Sequence, residues 1–93
     1  MKFELGQVVT TAGVYGLIKE DDKFLDFVND SLRRYCECDW GSLCEDDAKL
    51  NDEAVRLNND RILAAYEKEG LPKIWIITEY DRSATTILFP DEY

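Results

Sequence analysis

The chain has 93 residues, 45% of them hydrophobic and including four Phe, five Tyr and two Trp, which sets it among globular sequences with one modest core. Twenty acidic against eleven basic residues give a net charge of -9, which argues against direct binding to nucleic acid, where Lys and Arg must displace counterions from phosphates. The absence of His removes the commonest general base and every Ser-His or Cys-His nucleophile.

The opening MKFELGQVVTTAGVYGL breaks each apolar stretch with an acid, Gly or Thr, so neither a signal peptide nor a membrane span is expected. A cytoplasmic location follows as the expectation, with the three cysteines reduced there. Phe3 to Thr10 reads as a short strand interrupted at Gly6. Thr10 or Thr11 then caps a brief helix carrying Val14, Leu17 and Ile18, although Gly13 and Gly16 weaken it by about 1 kcal/mol each and leave a loop as the alternative. Asp21 or Asp22 opens a better helix, with Phe24, Val28, Leu32 and Tyr35 on one stripe and Leu25 and Phe27 widening it.

The stretch YCECDWGSLCEDDAKLND follows. Ser42 and Glu45 have capping-box spacing, so a helix is expected to start there, with Leu43, Leu50, Ala54 and Leu57 along one side. Asn58-Asn59-Asp60 ends it, and the pattern changes to two-residue alternation. Arg61 to Glu69, Lys73 to Tyr80 and Ala84 to Phe89 read as three strands whose short connections suit antiparallel neighbours. Ile74, Ile76 and Thr78 fall on one face of the middle strand, and Trp75, Ile77 and Glu79 on the other. The expected fold is a single α+β domain over residues 1–93. Two or three helices pack on one face of a small antiparallel sheet that ends in a three-stranded meander.

Cys36, Cys38 and Cys44 lack the paired spacing of common zinc sites, and no His completes a tetrahedron. No metal and no cofactor is expected. Trp40-Gly41 lies where the chain must turn between helices: Trp40 either plugs the core or, in an acidic rim, anchors an interface. Between Glu37 and Asp60 stand eight acids against two bases, Lys49 and Arg56, so this quarter carries -6 of the -9. Spaced carboxylates on a rigid helix can imitate a row of phosphates; a solvated face with acids favouring the helix N-terminus is the plainer explanation. Glu79 and Asp81, with Arg82 and with Tyr80 or Tyr93, form the one other set that would line a small catalytic or ligand-binding pocket.

The segments KIWIITEYDRSATTILFPDEY, CDWGSLCEDDAKLNDEA and RILAAYEKE resemble a family of short proteins carried by plasmids, phages and integrative elements of Firmicutes. Its members are labelled plasmid-related proteins and sometimes a subunit of a type I restriction system. Asp39, Trp40, Gly41, Cys44, Asp47, Asn51, Asp52, Glu53, Trp75, Thr78, Glu79, Asp81, Arg82, Phe89, Pro90, Glu92 and Tyr93 are among the residues that carry the likeness. A fainter likeness, through a closing Glu-Tyr and a strand ending in Tyr-Asp, points to a plasmid family of proteobacteria. The resemblance implies a mobile element as genomic company. A methyltransferase or specificity subunit would need a far larger chain.

The expected function is that of a non-enzymatic accessory protein binding another protein, as an acidic anti-restriction or anti-CRISPR inhibitor. Its partner would be a basic host nuclease or other DNA-handling protein, met through Asp39, Trp40, Glu45, Asp46, Asp47, Asp52 and Glu53. The alternatives are a small ligand-binding or enzymatic domain using Glu79, Asp81 and Arg82, and a structural or regulatory subunit assembling through a sheet edge. The chain is expected to be a monomer or small homo-oligomer.

Overall fold

The computed structural model describes residues 2–93. Strand β1 (Gln7–Thr10) leads into helices α1 (Ala12–Glu20), α2 (Asp22–Cys36) and α3 (Glu45–Leu57). Strands β2 (Ile62–Tyr66), β3 (Ile74–Thr78) and β4 (Ala84–Leu88) follow, and a 3-10 turn at Pro90–Glu92 ends the chain. Two helix starts are set by side chains predicted to cap them. Thr11 Oγ1 accepts from the Val14 N–H at 3.3 Å, and the Asp21 carboxylate accepts from Lys23 at 2.9 Å and Phe24 at 3.3 Å.

The strand order is β1-β4-β3-β2, an α+β architecture in which β2, β3 and β4 form the expected antiparallel meander. β1 joins the edge in parallel, Gln7 aligning with Ala84 and Thr10 with Ile87, so the sheet is mixed. Gly6 permits this approach: its φ is +64°, and an added Cβ would stand 2.4 Å from the Arg82 carbonyl oxygen.

Period-two alternation divides the sheet. Ile62, Ala64, Tyr66, Ile74, Ile76 and Ile87 enter the core beside Phe24, Phe27, Val28 and Tyr35 of α2, as the predicted stripes require. The Ile, Val and Phe side chains each contribute about 1.5–3 kcal/mol when fully buried. Ala65, Ile77 and Leu88 are buried outside this main core, on the opposite face.

A line of hydroxyls crosses the core. Tyr35 Oη lies 2.7 Å from Thr78 Oγ1, Thr78 Oγ1 lies 2.8 Å from Thr85 Oγ1, and Thr85 Oγ1 donates to the Leu5 carbonyl at 2.7 Å. That carbonyl can only accept, so Thr85 spends its single proton there, Thr78 must donate to Thr85, and Tyr35 must donate to Thr78. The order of protons is thereby fixed from α2 through β3 and β4 to the segment before β1. Burial pushes the Tyr35 hydroxyl well above its ordinary pKa, which keeps it a neutral donor.

This direction predicts an asymmetry between variants. Thr85→Val strands both the Leu5 carbonyl and the Thr78 proton and is expected to cost roughly 2–4 kcal/mol, whereas Tyr35→Phe removes one donor, which also has a longer contact to the Ile62 carbonyl at 3.3 Å, strands no proton and costs roughly 1 kcal/mol. Urea unfolding of the two variants checks the ranking; equal costs would contradict the assigned direction.

Candidate functional site

The acidic stretch begins where α2 ends. Asp39 accepts from Arg34 Nε at 2.8 Å and Nη2 at 3.1 Å, and from the Gly41 N–H at 3.2 Å, while its carbonyl takes the Tyr66 hydroxyl at 2.7 Å. The hydrogen bond from Arg34 holds the Asp39 carboxyl below the usual carboxylate range and raises Arg34 in turn. Asp39 is therefore a turn-forming residue with its charge matched. Trp40 is 5% exposed, with its ring against Phe3 and Tyr35 and its Nε1 donating to Asp52 at 2.9 Å. Of the two roles weighed for Trp40, the core is where it lies, and Asp52 serves as its hydrogen-bond acceptor. These three of the seven expected contacts are brought together, but as the strut that joins the α2–α3 turn to the middle of α3.

The expected capping box does not form. α3 starts at Glu45 behind Cys44, which makes no side-chain cap. Ser42 instead donates its N–H at 2.8 Å and its hydroxyl at 3.3 Å to the Ala65 carbonyl. The open edge of β2 is a competitor for the serine that local spacing cannot register. Gly41 makes a parallel β-bridge to Ala65, and its φ of +74° and the 2.0 Å from a hypothetical Cβ to the Ala65 oxygen leave room only for glycine. Asn51 completes the seal: its amide donates to the Leu63 carbonyl at 2.8 Å and accepts from the Leu63 N–H at 3.4 Å. Asn51 accordingly sits on the buried side of α3 with Ala54, while Leu50, expected on that side, is 66% exposed.

The far end of α3 is held by Arg82. Its guanidinium, 7% exposed, donates to five backbone carbonyls: Nη2 to Ala54 at 2.9 Å and Asn59 at 3.3 Å, Nη1 to Asp60 at 2.6 Å, Glu79 at 3.2 Å and Tyr80 at 3.3 Å. The residue expected to supply a cation to a pocket is thus consumed as the cap of a helix C-terminus. Asp81 accepts from the Ser83 N–H at 3.0 Å in the β3–β4 turn, and Glu79 is exposed. Tyr93 packs edge-on against Trp75 at 5.6 Å and takes a hydrogen bond from Arg61. Asp81, Arg82 and Tyr93 therefore each serve a different local purpose, and Glu79 contributes its backbone carbonyl to Arg82.

The remaining acids among the expected contacts lie on α3. At about 100° per residue, Glu45 and Asp52 fall on one flank and Lys49, Arg56, Glu53 and Asp46 across the back, while Asp47 falls on the side of Asn51 and Ala54, exposed in the first turn where α3 faces β2. All five acids are exposed, and among the described residues none lies within 4.0 Å of a Lys or Arg nitrogen; the ion pairs are Asp30–Arg33, Asp39–Arg34 and Glu67–Lys73. Asp47 borders a cleft of about 320 Å³ between α3 and β2, walled by Leu43, Leu50 and Leu63 and rimmed by Asp60 and Arg61. Sequence reasoning missed this cleft, because it exists only once Asn51 has pinned α3 to the strand.

Burial raises the thiols of Cys36 and Cys38, and Cys44 is exposed. Among the described residues no group of three or more His, Cys, Asp or Glu is placed to hold a metal ion, and no helix is long and apolar enough to cross a membrane. No family model matches the chain, and neither a curated protein nor a solved structure matches it.

Because its folded pKa is depressed, Asp39 adds stability above its unfolded pKa of about 3.9, and this is lost as pH falls through the lower folded value. Both partners are substantially solvent-exposed, which limits the gain to under about 1 kcal/mol. Thermal unfolding of Asp39→Asn against wild type is expected to give a small deficit at pH 7 that vanishes in strong acid. A deficit independent of pH would contradict the ion pair.

Proposed function

We propose that the protein is a non-enzymatic docking protein that binds a basic surface of another protein through the outer side of α3. The observation that carries this reading is the combination of fixed backbone and free charge. α3 is tied to β2 by Asn51, to the preceding turn through Asp52 and Trp40, and to both following turns by Arg82. Glu45, Asp46, Asp47 and Glu53 nevertheless stand exposed, and among the described residues none has a Lys or Arg nitrogen within 4.0 Å. Charges held on a rigid element lose little side-chain freedom beyond their own on binding, and they steer a basic partner at long range.

The cleft beside Asp47 gives the surface a specific feature. Leu43 and Leu50 would receive the methylenes of a partner Lys or Arg, with Asp47 and Asp60 at the rim for its charged end and Arg61, beside them, turned to Tyr93. Lys49 and Arg56 sit among the back-face acids and reduce the charge there, so Asp47 and the first turn of α3 are the centre of the proposed surface. The likeness to proteins of mobile elements favours a host or element-encoded DNA-handling protein in the cytoplasm as partner, with inhibition of a restriction or CRISPR nuclease as the role.

Affinity capture from a host lysate, at low and high salt, tests the reading with three baits. Wild type is expected to retain a partner that is released by salt. Asp46→Lys, Asp47→Lys and Glu53→Lys together should lose it, while the same number of reversals at Glu67, Glu69 and Glu79 should retain it. Equal loss from both triple variants would reduce the effect to net charge and reject α3 as the surface.

A further inference from the structure

We propose that the β1 edge is a self-association surface: two copies of the chain pair their β1 strands antiparallel about a two-fold axis at Val9. The two four-stranded sheets then become one.

The parity of the strand is fixed by its pairing with β4. The Gln7 N–H donates to the Ser83 carbonyl and the Thr11 N–H to the Ile87 carbonyl, both at 3.1 Å, so odd-numbered residues turn their backbone groups inward. Val8 and Thr10 turn theirs outward, past the last strand of the sheet. Val8 is 42% exposed, and among the described residues no strand pairs with this edge. On the opposite edge, β2, Asn51 bonds both the N–H and the carbonyl of outward-facing Leu63, and Ser42 bonds the Ala65 carbonyl. One edge is sealed by dedicated side chains, and the other is bare, without the Lys, Pro or bulge that guards isolated edges.

Charge selects a second copy as the occupant. Residues 5–18, which contain all of β1 and most of α1, carry no Asp, Glu, Lys or Arg, in a chain of 31 charged residues and net charge -9. A basic partner would be drawn to the carboxylates elsewhere. A second copy, itself strongly negative, can come close only where the charge is missing. The edge is also complementary to itself. With Val9 opposite Val9, Val8 of each copy faces Thr10 of the other, and each of these two pairs exchanges both backbone hydrogen bonds. The pairing is independent of α3 and leaves both acidic surfaces free at the outer ends of the joined sheet.

Four residues of strand bury less than the roughly 1,000 Å² of a stable interface, so association is expected to be weak and concentration-dependent. Sedimentation equilibrium from micromolar to millimolar protein should show the mass rising toward a dimer. Val9 is exposed, so Val9→Lys and Val9→Glu should each fold normally by circular dichroism. Each places like charges directly opposite across the axis and should raise the dissociation constant about ten-fold or more. An equal mixture of the two should recover wild-type association. A wild type that stays monomeric at millimolar concentration, a Val9→Lys variant that associates as wild type does, or a mixture without recovery would each overturn the proposal.

Discussion

Arg82 is a buried cation without a carboxylate. Moving such a charge out of water carries a penalty of several kcal/mol, and here five carbonyl dipoles, three of them from the end of α3 and its exit turn, take the place of the lost water. Arginine suits the position because its fork of donors addresses several acceptors at once and its guanidinium is weakly hydrated; lysine would reach three at most. The backbone bears witness to the constraint. Arg82 itself has φ +60°, and Asn58 and Asp60, whose turn it grips, have φ +51° and +57°. Left-handed conformations cost about 1–2 kcal/mol for a side-chain-bearing residue such as Arg, less for Asn and Asp. Three of them at one node mean that the node is held by what the guanidinium gains there.

From that node the remaining architecture follows. With its C-terminus clamped to the β3–β4 turn, α3 lies along β2 closely enough for Asn51 to bond Leu63, and the turn before it closes over Ala65 through Gly41 and Ser42. The β2 edge is thereby removed as an assembly surface, and the acids of α3 are displayed on a helix with little freedom to move. The β1 edge receives no such treatment. The molecule thus has two ends of opposite character, an acidic helix, which we propose meets a basic partner, and a neutral strand, which we propose meets its own copy. Association through β1 would double the acidic surface and raise avidity for a partner with repeated basic sites.

The parts of this arrangement that depend on neighbours in sequence were legible there. Thr11 and Asp21 cap as their positions imply, Phe24, Val28 and Tyr35 bury as their spacing implies, and KIWIIT alternates as a strand with Ile74, Ile76 and Thr78 inward. The parts that depend on a distant partner were not. Ser42 and Glu45 match a capping box, but the serine is taken by Ala65, 23 residues on. Asn51 looks like a polar interruption of the α3 stripe until the edge of β2 supplies the two groups it bonds. Arg82 reads as a turn residue beside two acids, and only the folded chain places five carbonyls around it. The parallel pairing of β1 with β4 likewise has no local mark, since the strands are separated by most of the chain. In the acidic stretch the residue types were read correctly while their division was hidden: Asp39 and Asp52 are matched by Arg34 and Trp40, and Glu45, Asp46, Asp47 and Glu53 are not.

The central claim is that Arg82 keeps α3 in place. Amide hydrogen exchange of wild type and Arg82→Met measures this most directly. The account predicts that in the variant the amides of the second half of α3 exchange by local opening, many-fold faster than in wild type, while those of β3 and β4 stay at the rate of global unfolding. Uniform acceleration across the chain, or protection of α3 equal to that in wild type, would contradict it.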